Sequence, residues 1–242
     1  MTTISNRVIG WVNLEARKKI GVLGGTFDPP HLGHLKLATH FSRLFHLDEL
    51  LLIPSGTPWQ KASNITPAEI RLQLTEAAAI DLARAFLYLK IPTQIGVDRI
   101  EIDRSGPSYA IDTVKSLRAR YGNTASLIWL MGADSLIQLP TWNSWEELLK
   151  QVNFAVASRP GYALLTEIGS EVQNLLAQHR TIDPKAIENS ANGLIYLDES
   201  LAIDLSSTDL RKHFHHPSAE SIDTTRMPSH VSEIITNLGL YK

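Results

Sequence analysis

Two histidines near the start of the chain close a glycine-rich segment whose residue types suit the binding of a polyphosphate. The segment spans Gly24 to His34 and has the sequence GGTFDPPHLGH. Two adjacent glycines allow the backbone to turn sharply and to approach a ligand closely. His31 and His34 are three residues apart at the predicted start of a helix, so their imidazoles share one face. Together with the N–H groups and positive dipole end of that helix, they favour a phosphate ligand.

The same segment departs from two other nucleotide-binding turns. It lacks the Gly-Lys-Ser/Thr ending of a P-loop, and its glycine spacing differs from the Gly-x-Gly-x-x-Gly turn of an NAD-dependent dehydrogenase. The histidines could instead be ordinary surface or capping residues, or they could belong to a metal site. A metal site needs further ligands, and the chain has no cysteine to supply them, so we predict no metal site built by the protein itself.

A second candidate for phosphate binding lies near the C-terminus, from Ser206 to Arg211, with the sequence SSTDLR. Ser207 or Thr208 can cap the start of a helix, which would turn hydroxyl and N–H groups toward an anion. Arg211 follows one turn later and can donate two parallel hydrogen bonds to phosphate oxygens. The alternative is an ordinary capped helix that carries a surface arginine.

These segments lie next to predicted strands, in a chain where strands alternate with helices. Short apolar runs predict strands at 20–23, 50–54, 127–131, 154–157 and 194–197, and less distinctly at 86–89 and 99–102. Apolar residues at helical spacing predict helices over 32–47, 68–80, 108–121, 145–149, 164–176, 206–214 and 230–238. This order predicts an α/β fold with a mostly parallel sheet covered by helices on both faces. Ligands of such sheets bind beyond the carboxyl ends of the strands, which gathers the loops after Leu23, Ile53 and Met131 around one crevice.

Composition and charge restrict the kind of protein. The 242 residues, 43% of them hydrophobic, suit one globular domain or one domain with a small appendage. A formal net charge of −2 gives no basic field for non-specific nucleic-acid binding. The absence of cysteine excludes disulfides, thiolate zinc sites and cysteine nucleophiles. Residues 1–19 lack the apolar core of a secretory signal, and no run approaches the ~18 apolar residues of a membrane span, so we expect a cytoplasmic protein with no membrane partner.

The segment Gly24 to His34 resembles the nucleotide-binding segment of the HxGH nucleotidyltransferase superfamily, and further segments narrow the resemblance to the bacterial nicotinate-nucleotide adenylyltransferases. These are the SSTDLR sequence at 206–211, GADS at 132–135, LPTW at 139–142, and SYAIDT at 108–113 together with Glu101 and Arg104. The resemblance covers about Lys19 to the end of the chain. It implies a single nucleotidyltransferase domain over 19–242, with a helical C-terminal part from about 206, and an extension of unknown role over 1–18.

The resemblance implies a Rossmann-like, doubly wound fold and a reaction of NAD biosynthesis. In that reaction an adenylyl group passes from ATP to nicotinate mononucleotide, which gives deamido-NAD and pyrophosphate. The phosphate of the mononucleotide would attack the α-phosphorus of ATP directly, in line with the leaving pyrophosphate. Mg²⁺ is the implied cofactor, bound mainly through the ATP phosphates, and Asp28 is near enough in sequence to touch it.

The resemblance also assigns roles to residues. It implies that His31, His34 and Arg211 are catalytic. The implied ATP-binding residues are Gly24, Gly25, Thr26, Phe27, Ser206, Ser207, Thr208 and Arg211. The implied mononucleotide-binding residues are Asp134, Thr141, Trp142, Ala110 and Lys61, with Trp142 stacked on the pyridine ring. Ala110 stands where the family usually has threonine, beside the nicotinate carboxylate, so only its backbone N–H could donate there.

Several alternatives stay open. Another member of the superfamily, such as a pantetheine-phosphate adenylyltransferase or a cytidylyltransferase, would share the phosphate-binding segments, although GADS and LPTW favour the nicotinate enzyme. A nucleotide-binding regulator would retain the fold without catalysis, although the complete set of histidines, hydroxyls and arginine argues against it. Trp142 could be a core aromatic, Lys61 could be an exposed loop residue, and Ser108 could simply cap the helix that follows it.

Overall fold

The computed structural model describes residues 17–58, 65–158, 168–201, 207–214 and 226–241. Within these ranges, one sheet contains the strands β1 (Lys19–Gly25), β2 (Glu49–Pro54), β3 (Gln94–Val97), β4 (Ser126–Gly132), β5 (Asn153–Ala157), β6 (Arg180–Thr181) and β7 (Ile195–Asp198). The helices are α1 (Leu32–Leu44), α2 (Ala68–Leu89), α3 (Ala110–Tyr121), α4 (Ala133–Ile137), α5 (Trp145–Leu148), α6 (Ser170–His179), α7 (Pro184–Asn189), α8 (Ser207–Phe214) and α9 (Ser229–Leu238).

Every pair of neighbouring strands is parallel, and the strand order is β3-β2-β1-β4-β5-β7-β6. Strands β2 and β3 lie on one side of β1, and β4 and all later strands lie on its other side. The connections that follow β1 and β4 therefore leave in opposite directions, and a crevice opens between them at the carboxyl ends. This topology confirms the predicted doubly wound, Rossmann-like α/β fold.

The sheet is buried on both faces because its central strands direct apolar side chains alternately to each side. On one face, Ile20 and Val22 of β1 belong to a cluster that includes α3 and α6. On the other face, Leu50 and Leu52 of β2 pack with α1, α2 and α7. A smaller apolar cluster, which we call the C-terminal cluster, joins α2 to α8 and α9. Helices thus cover both faces, as predicted.

A buried arginine joins the amino ends of three strands. Arg118 of α3 donates hydrogen bonds to the carbonyl oxygens of Gly122, Ala125, Gln151 and Ala191. The last three of these residues precede β4, β5 and β7, so one guanidinium links the starts of all three strands. Burial lowers the pKa of Arg118 to about 10, so the side chain still carries its charge at neutral pH.

Two predicted strands are wrong. Residues 86–89 form the last turn of α2, where Phe86 lies one turn beyond Leu82 and both side chains are buried. A short apolar run fits a strand and a buried helix equally well, which explains the error. Residues 99–102 lie in a turn, in which the N–H of Asp103 donates to the carbonyl oxygen of Arg99. The third strand is instead β3, whose sequence QIGV forms no marked apolar run.

One helix start also differs from the prediction. Helix α3 begins at Ala110 and not at Ser108, because the Ser108 hydroxyl oxygen accepts the N–H groups of Gly56 and Thr57 instead of capping the helix. The other strands and helices lie within a few residues of their predicted bounds, except that α2 continues to Leu89, beyond its predicted end at residue 80, and α6 begins at Ser170; residues 159–167 are outside the described part. The short elements α4, α7 and β6 were not predicted.

Most of the predicted N-terminal extension, residues 1–16, lies outside the described residues. Lys18 leads into β1, and its carbonyl oxygen accepts a hydrogen bond from the N–H of Ser126 at the start of β4. The division into 1–18 and 19–242 stays a prediction. Across the described ranges, no helix combines the length and the apolar content that crossing a membrane requires.

Candidate active site

A cleft of about 330 Å³ opens beyond the carboxyl ends of β1 and β4, where the strand order places a ligand crevice. From the β1 side it is lined by Gly24, Gly25 and Thr26, which begin the first loop (residues 24–31), and by His34 of α1. From the β4 side it is lined by the segment that follows this strand, including Trp142. The loop after β2 and the start of α3 complete the lining, with Ser55 and Ala110.

The first loop passes directly against an aromatic side chain, which explains its first glycine. A Cβ on Gly24 would lie 2.9 Å from the indole of Trp129, which is closer than real Cβ contacts. Gly24 is therefore required if Trp129 is to line the cleft beside the loop. Phe27 is buried, and its ring meets the His34 ring edge-on with 5.1 Å between centroids. Phe27 thus supports His34 and does not line the cleft.

The two histidines stack on each other, with ring centroids 3.7 Å apart. The backbone N–H of His31 donates a hydrogen bond to Nδ1 of His34, at 3.1 Å. Because Nδ1 accepts, the ring hydrogen of a neutral His34 is on Nε2, which makes Nε2–H its donor. His34 lines the cleft, whereas His31 is only 5% exposed and does not. The arrangement lets His34 donate to a ligand while His31 fixes the orientation of its ring.

The C-terminal motif meets the first loop, although 183 positions separate Arg211 from Asp28. Nη1 of Arg211 donates to the carbonyl oxygen of Asp28 at 2.5 Å, and the Ser207 hydroxyl donates to the carbonyl oxygen of Pro29 at 2.9 Å. Thr208 is exposed, and its hydroxyl oxygen lies 3.4 Å from Nη2 of Arg211. The start of α8 is therefore held against the loop that carries the histidines, beside the lining residues of the cleft.

Asp28 is a buried residue of the first loop, with 2% of its surface exposed. Its Oδ1 accepts a hydrogen bond from the hydroxyl of Tyr241, and its Oδ2 accepts one from the N–H of Thr66. Both carboxylate oxygens are thus used within the protein. Across the described residues, no group of three or more His, Cys, Asp or Glu side chains is arranged to hold a metal ion.

A buried arginine joins the loops that follow β1 and β2. Arg71, in the first turn of α2, donates to the carbonyl oxygens of Thr26, Ser55, Gly56 and Thr66. Since Thr26 and Ser55 both line the cleft, one guanidinium sets the distance between two of its walls. Burial lowers the pKa of this guanidinium, and the nearby carboxyl groups act in the opposite direction.

The role of Arg71 was missing from the sequence prediction, although the sequence carries a signal for it. Arg71 lies on the same helical stripe as Thr75, Ala78 and Leu82, all of which are buried. Arg71 itself is 1% exposed. A charged side chain on the apolar stripe of a helix must find hydrogen-bond acceptors, because an unpaired buried charge is strongly unfavourable. That pattern indicates a structural or functional role for the arginine.

The β4 side of the cleft carries two tryptophans. The rings of Trp129 and Trp142 meet edge-to-face, with 6.2 Å between centroids. Trp142 packs against the core cluster under α3 and also lines the cleft, so the structure gives it both of the positions considered from the sequence. Its Nε1 is buried and has no hydrogen-bond partner among the described residues. A buried indole N–H at a cleft wall is available to a ligand acceptor.

The start of α3 forms the wall between the tryptophans and the loop after β2. Ala110 is the first residue of the helix and lines the cleft, where first-turn N–H groups have no partner within the helix. The loop after β2 reaches this wall through Gly56, because a Cβ there would lie 2.1 Å from the carbonyl oxygen of Glu101. The Ser108 hydroxyl holds the two segments together by accepting two N–H groups from that loop.

Glu101 is a buried carboxyl group in the wall of the cleft. It is 5% exposed, and its Oε1 accepts a hydrogen bond from the Thr113 hydroxyl at 2.7 Å. Burial raises the pKa of Glu101, while hydrogen bonds from Thr113 and Ser108 and the charge of Arg104 act in the opposite direction. Glu101 therefore keeps its proton to a higher pH than an exposed glutamate does.

Several residues assigned from the sequence do not line the cleft. Asp134 and Thr141 are exposed, and the Thr141 hydroxyl donates to the carbonyl oxygen of Gln138. Their neighbours Ser135 and Asn143 line the cleft instead. Two further assigned residues, Lys61 and Ser206, lie outside the described residues.

Sequence comparison finds relatives that extend over almost the whole chain. A family model described as cytidylyltransferase-like matches residues 22–213. A protein of Herminiimonas arsenicoxydans named "Probable nicotinate-nucleotide adenylyltransferase" is 36% identical over 224 residues, which cover 92% of this chain and 96% of the relative. A protein of the same name from Aeromonas salmonicida is 37% identical over 223 residues, which cover 92% and 97%.

Solved structures share the fold. Plasmodium falciparum nicotinic acid mononucleotide adenylyltransferase complexed with NaAD has a TM-score of 0.66 at 16% identity, covering 93% of this chain and 98% of that chain. The same enzyme complexed with APC has a TM-score of 0.64 over the same shares of both chains. At this identity the structures support the fold alone. The extent and identity of the sequence matches show that this chain belongs to the nicotinate-nucleotide adenylyltransferase family, within the cytidylyltransferase-like proteins.

Proposed function

We propose that this chain transfers the adenylyl group of ATP to nicotinate mononucleotide, forming deamido-NAD and releasing pyrophosphate. The observation that carries the proposal is a single cleft lined both by the first loop with His34 and by Trp142 with the start of α3. The first loop with His34 suits a triphosphate, and Trp142 with the start of α3 suits a flat ring that carries a carboxylate. The names of the sequence relatives support the same reaction.

The triphosphate of ATP would lie against the first loop and the start of α1. Gly24, Gly25 and Thr26 line the cleft there, and Nε2–H of His34 would donate to a phosphate oxygen. We assign His31 the role of orienting His34, because it is stacked behind that ring. Ser207 and Arg211, which contact the same loop, would approach the β- and γ-phosphates.

The pyridine ring of the mononucleotide would stack on Trp142. Its carboxylate would then face the start of α3, where the N–H of Ala110 can donate and the helix dipole favours a negative charge. A carboxylate gains from this dipole and a neutral amide does not, so the acid substrate should be preferred. Ala110 lacks the hydroxyl that threonine would offer the carboxylate, but the acid should still be preferred to the amide.

The transfer itself needs no covalent intermediate. A phosphate oxygen of the mononucleotide would form a bond to the α-phosphorus of ATP, while the bond from that phosphorus to the oxygen bridging to the β-phosphate breaks. Pyrophosphate leaves with the bridging oxygen. Such transfers depend on positioning and on neutralising charge, which His34 and the helix N–H groups would supply.

Mg²⁺ belongs to this proposal as a partner of the ATP phosphates. The described residues offer no cage of carboxylates, and both oxygens of Asp28 are engaged in hydrogen bonds. This donor set fits an ion that is held mainly by substrate phosphates and water, as is usual for Mg²⁺ at nucleotide sites. When bound, the ion would neutralise phosphate charge. The cytoplasmic location stays a prediction, which cell fractionation would test.

Pyrophosphate release with a panel of substrates tests the proposal. The acceptors are nicotinate mononucleotide, nicotinamide mononucleotide and phosphopantetheine, each with ATP and with CTP. We expect the highest kcat/KM for nicotinate mononucleotide with ATP, with deamido-NAD identified by mass spectrometry. Preference for phosphopantetheine or CTP would instead support another superfamily activity. Binding of ATP without pyrophosphate release from any pair would support a non-catalytic nucleotide-binding regulator.

A further inference from the structure

The end of the chain places a tyrosine hydroxyl against the first loop. Tyr241 follows α9, and its ring packs against the C-terminal cluster. Its hydroxyl donates a hydrogen bond to Oδ1 of Asp28, at 2.5 Å. Asp28 lies three residues before His31 in the sequence, so the end of the chain contacts the loop that carries both histidines.

Three separate segments hold Asp28 in place. The N–H of Thr66, just before α2, donates to Oδ2 at 3.2 Å, and Arg211 of α8 donates to the carbonyl oxygen. Tyr241 supplies the contact at Oδ1. The position of the first loop therefore depends on residues that are distant in sequence. Two of the three contacts come from residues that follow β7, namely Arg211 and Tyr241.

The chemistry of Tyr241 suits a permanent hydrogen bond. Burial raises the pKa of its hydroxyl, and the neighbouring Asp28 carboxylate raises it further, although Thr66 and Arg211 act in the opposite direction. The hydroxyl therefore keeps its hydrogen over the ordinary range of assay pH. A hydrogen bond to a carboxylate is also stronger than one between neutral groups.

We propose that Tyr241 is a positioning residue, which acts through Asp28 to hold the first loop where His34 meets the ATP phosphates. This role rests on the proposed function, because it is exerted on ATP binding and adenylyl transfer. Tyr241 does not line the cleft, so it acts without touching substrate. Loss of its hydroxyl should weaken the phosphate side of the site and leave the ring side, at Trp142 and α3, unchanged.

Tyr241→Phe tests this role, because it keeps the ring in the C-terminal cluster and removes only the hydroxyl. We expect kcat/KM for ATP to fall about 10-fold and the Kd of α,β-methylene-ATP, measured by calorimetry, to rise about 5-fold. The KM for nicotinate mononucleotide should change by less than about two-fold. Asp28→Asn and the double variant complete a cycle, in which the double variant should lose no more than the more affected single variant.

Tyr121→Phe is the matched control. The Tyr121 hydroxyl also donates to a carboxylate, that of Glu49, at 2.9 Å, but at the amino end of β2. This variant should leave kcat/KM and Kd within about two-fold of the wild type. The proposal is overturned if Tyr241→Phe matches the wild type in kcat/KM and Kd, if Tyr121→Phe shows the same losses, or if the cycle is additive.

The calorimetric measurement separates this proposal from the proposed function. If the wild type releases no pyrophosphate with nicotinate mononucleotide, the function is rejected, yet the affinities for α,β-methylene-ATP still decide the role of Tyr241. If the wild type turns over and Tyr241→Phe binds the analogue as the wild type does, the function stands and the positioning role is rejected.

Discussion

Arg71→Lys tests whether the site depends on one guanidinium to join two of its walls. The wild-type side chain donates to four carbonyl oxygens, with Nη1 shared between Thr26 and Ser55 and the other nitrogens directed to Gly56 and Thr66. A lysine has a single nitrogen. Placed near the position of Nη1, it can reach Thr26 and Ser55 but leaves the other two carbonyl oxygens without a donor. Because the charge is kept, the substitution isolates the geometry of the guanidinium.

The loss of stability follows from these two hydrogen bonds. A hydrogen bond to a charged group contributes about 1.5–3 kcal/mol, so two of them contribute about 3–6 kcal/mol. Water from the adjoining cleft can replace part of this, so we expect the free energy of unfolding to fall by about 2–4 kcal/mol. In a chain of this size each kcal/mol lowers Tm by about 2–4 °C, which predicts a fall of roughly 5–15 °C in thermal unfolding.

The kinetic effect should exceed what lost stability explains. Thr26 and Ser55 line the cleft, so a shift between their loops displaces two walls of the proposed substrate site. A displacement of about 1 Å can reduce a rate by about 10²-fold. We therefore expect kcat/KM for ATP to fall about 10- to 100-fold, measured by pyrophosphate release well below the Tm of the variant.

Arg118→Lys is the matched control for this prediction. Arg118 also donates to four carbonyl oxygens, but these lie at the amino ends of the strands, away from the cleft. Its substitution should lower Tm by a similar amount and leave kcat/KM within about two-fold of the wild type. If Arg71→Lys lowers Tm as Arg118→Lys does but retains the wild-type kcat/KM, the link between Arg71 and the site is refuted.

Three further variants test other parts of the site. His34→Ala should lower kcat by about 10²–10³-fold with little change in Tm, because it removes one well-placed donor; a near-normal kcat would exclude His34 from the transfer. Trp142→Ala should raise the KM for nicotinate mononucleotide by about 3- to 10-fold and the KM for ATP much less, with Trp142→Phe in between, whereas equal effects on both KM values would argue against stacking. Glu101→Gln should remove a pH dependence of stability. Because burial raises the pKa of Glu101 in the folded protein, folding favours its protonated form. The resulting contribution to the free energy of unfolding is complete below the ordinary pKa of 4.5 and is lost as the pH rises toward the folded-state pKa. Urea unfolding from pH 4 to 8 should thus show a steeper decline for the wild type than for the variant, and parallel curves would contradict this reasoning.

The sequence predicts those parts of the site that depend on local patterns. The central strands are continuous apolar runs, and the segment from Gly24 to His34 follows the first of them directly, so fold class and crevice could both be predicted. The strands predicted at 86–89 and 99–102 are wrong. Residues 86–89 form the last turn of α2, which could not be predicted because so short an apolar run has no length or period that separates a strand from a helix turn, and residues 99–102 lie in a turn.

The contacts that position the site could not be predicted, because they join residues that are far apart in the chain. The Tyr241 hydroxyl bonds to Asp28 across 213 positions, and nothing near either residue in the sequence indicates the other. The resemblance assigns Asp134 and Thr141 to the mononucleotide site, and this assignment stays a prediction. In the structure the adjacent Ser135 and the nearby Asn143 line the cleft.

The two buried arginines, Arg71 and Arg118, show that the position of a residue along its helix indicates which edge of the sheet it contacts. Both lie among the buried residues of their helices, so periodicity alone does not distinguish Arg71 from Arg118. In a parallel α/β fold each helix runs back against the strands, so helix starts lie at the carboxyl edge of the sheet, where ligands bind. Arg71 is in the first turn of α2 and joins the cleft loops, whereas Arg118 is near the end of α3 and joins the strand starts. His34, Ala110 and Ser207 also lie at helix starts, and each lies at or beside the cleft. A buried polar residue in the first turn of a helix in this fold is therefore a candidate for the site, and one in the last turn is a candidate for stability.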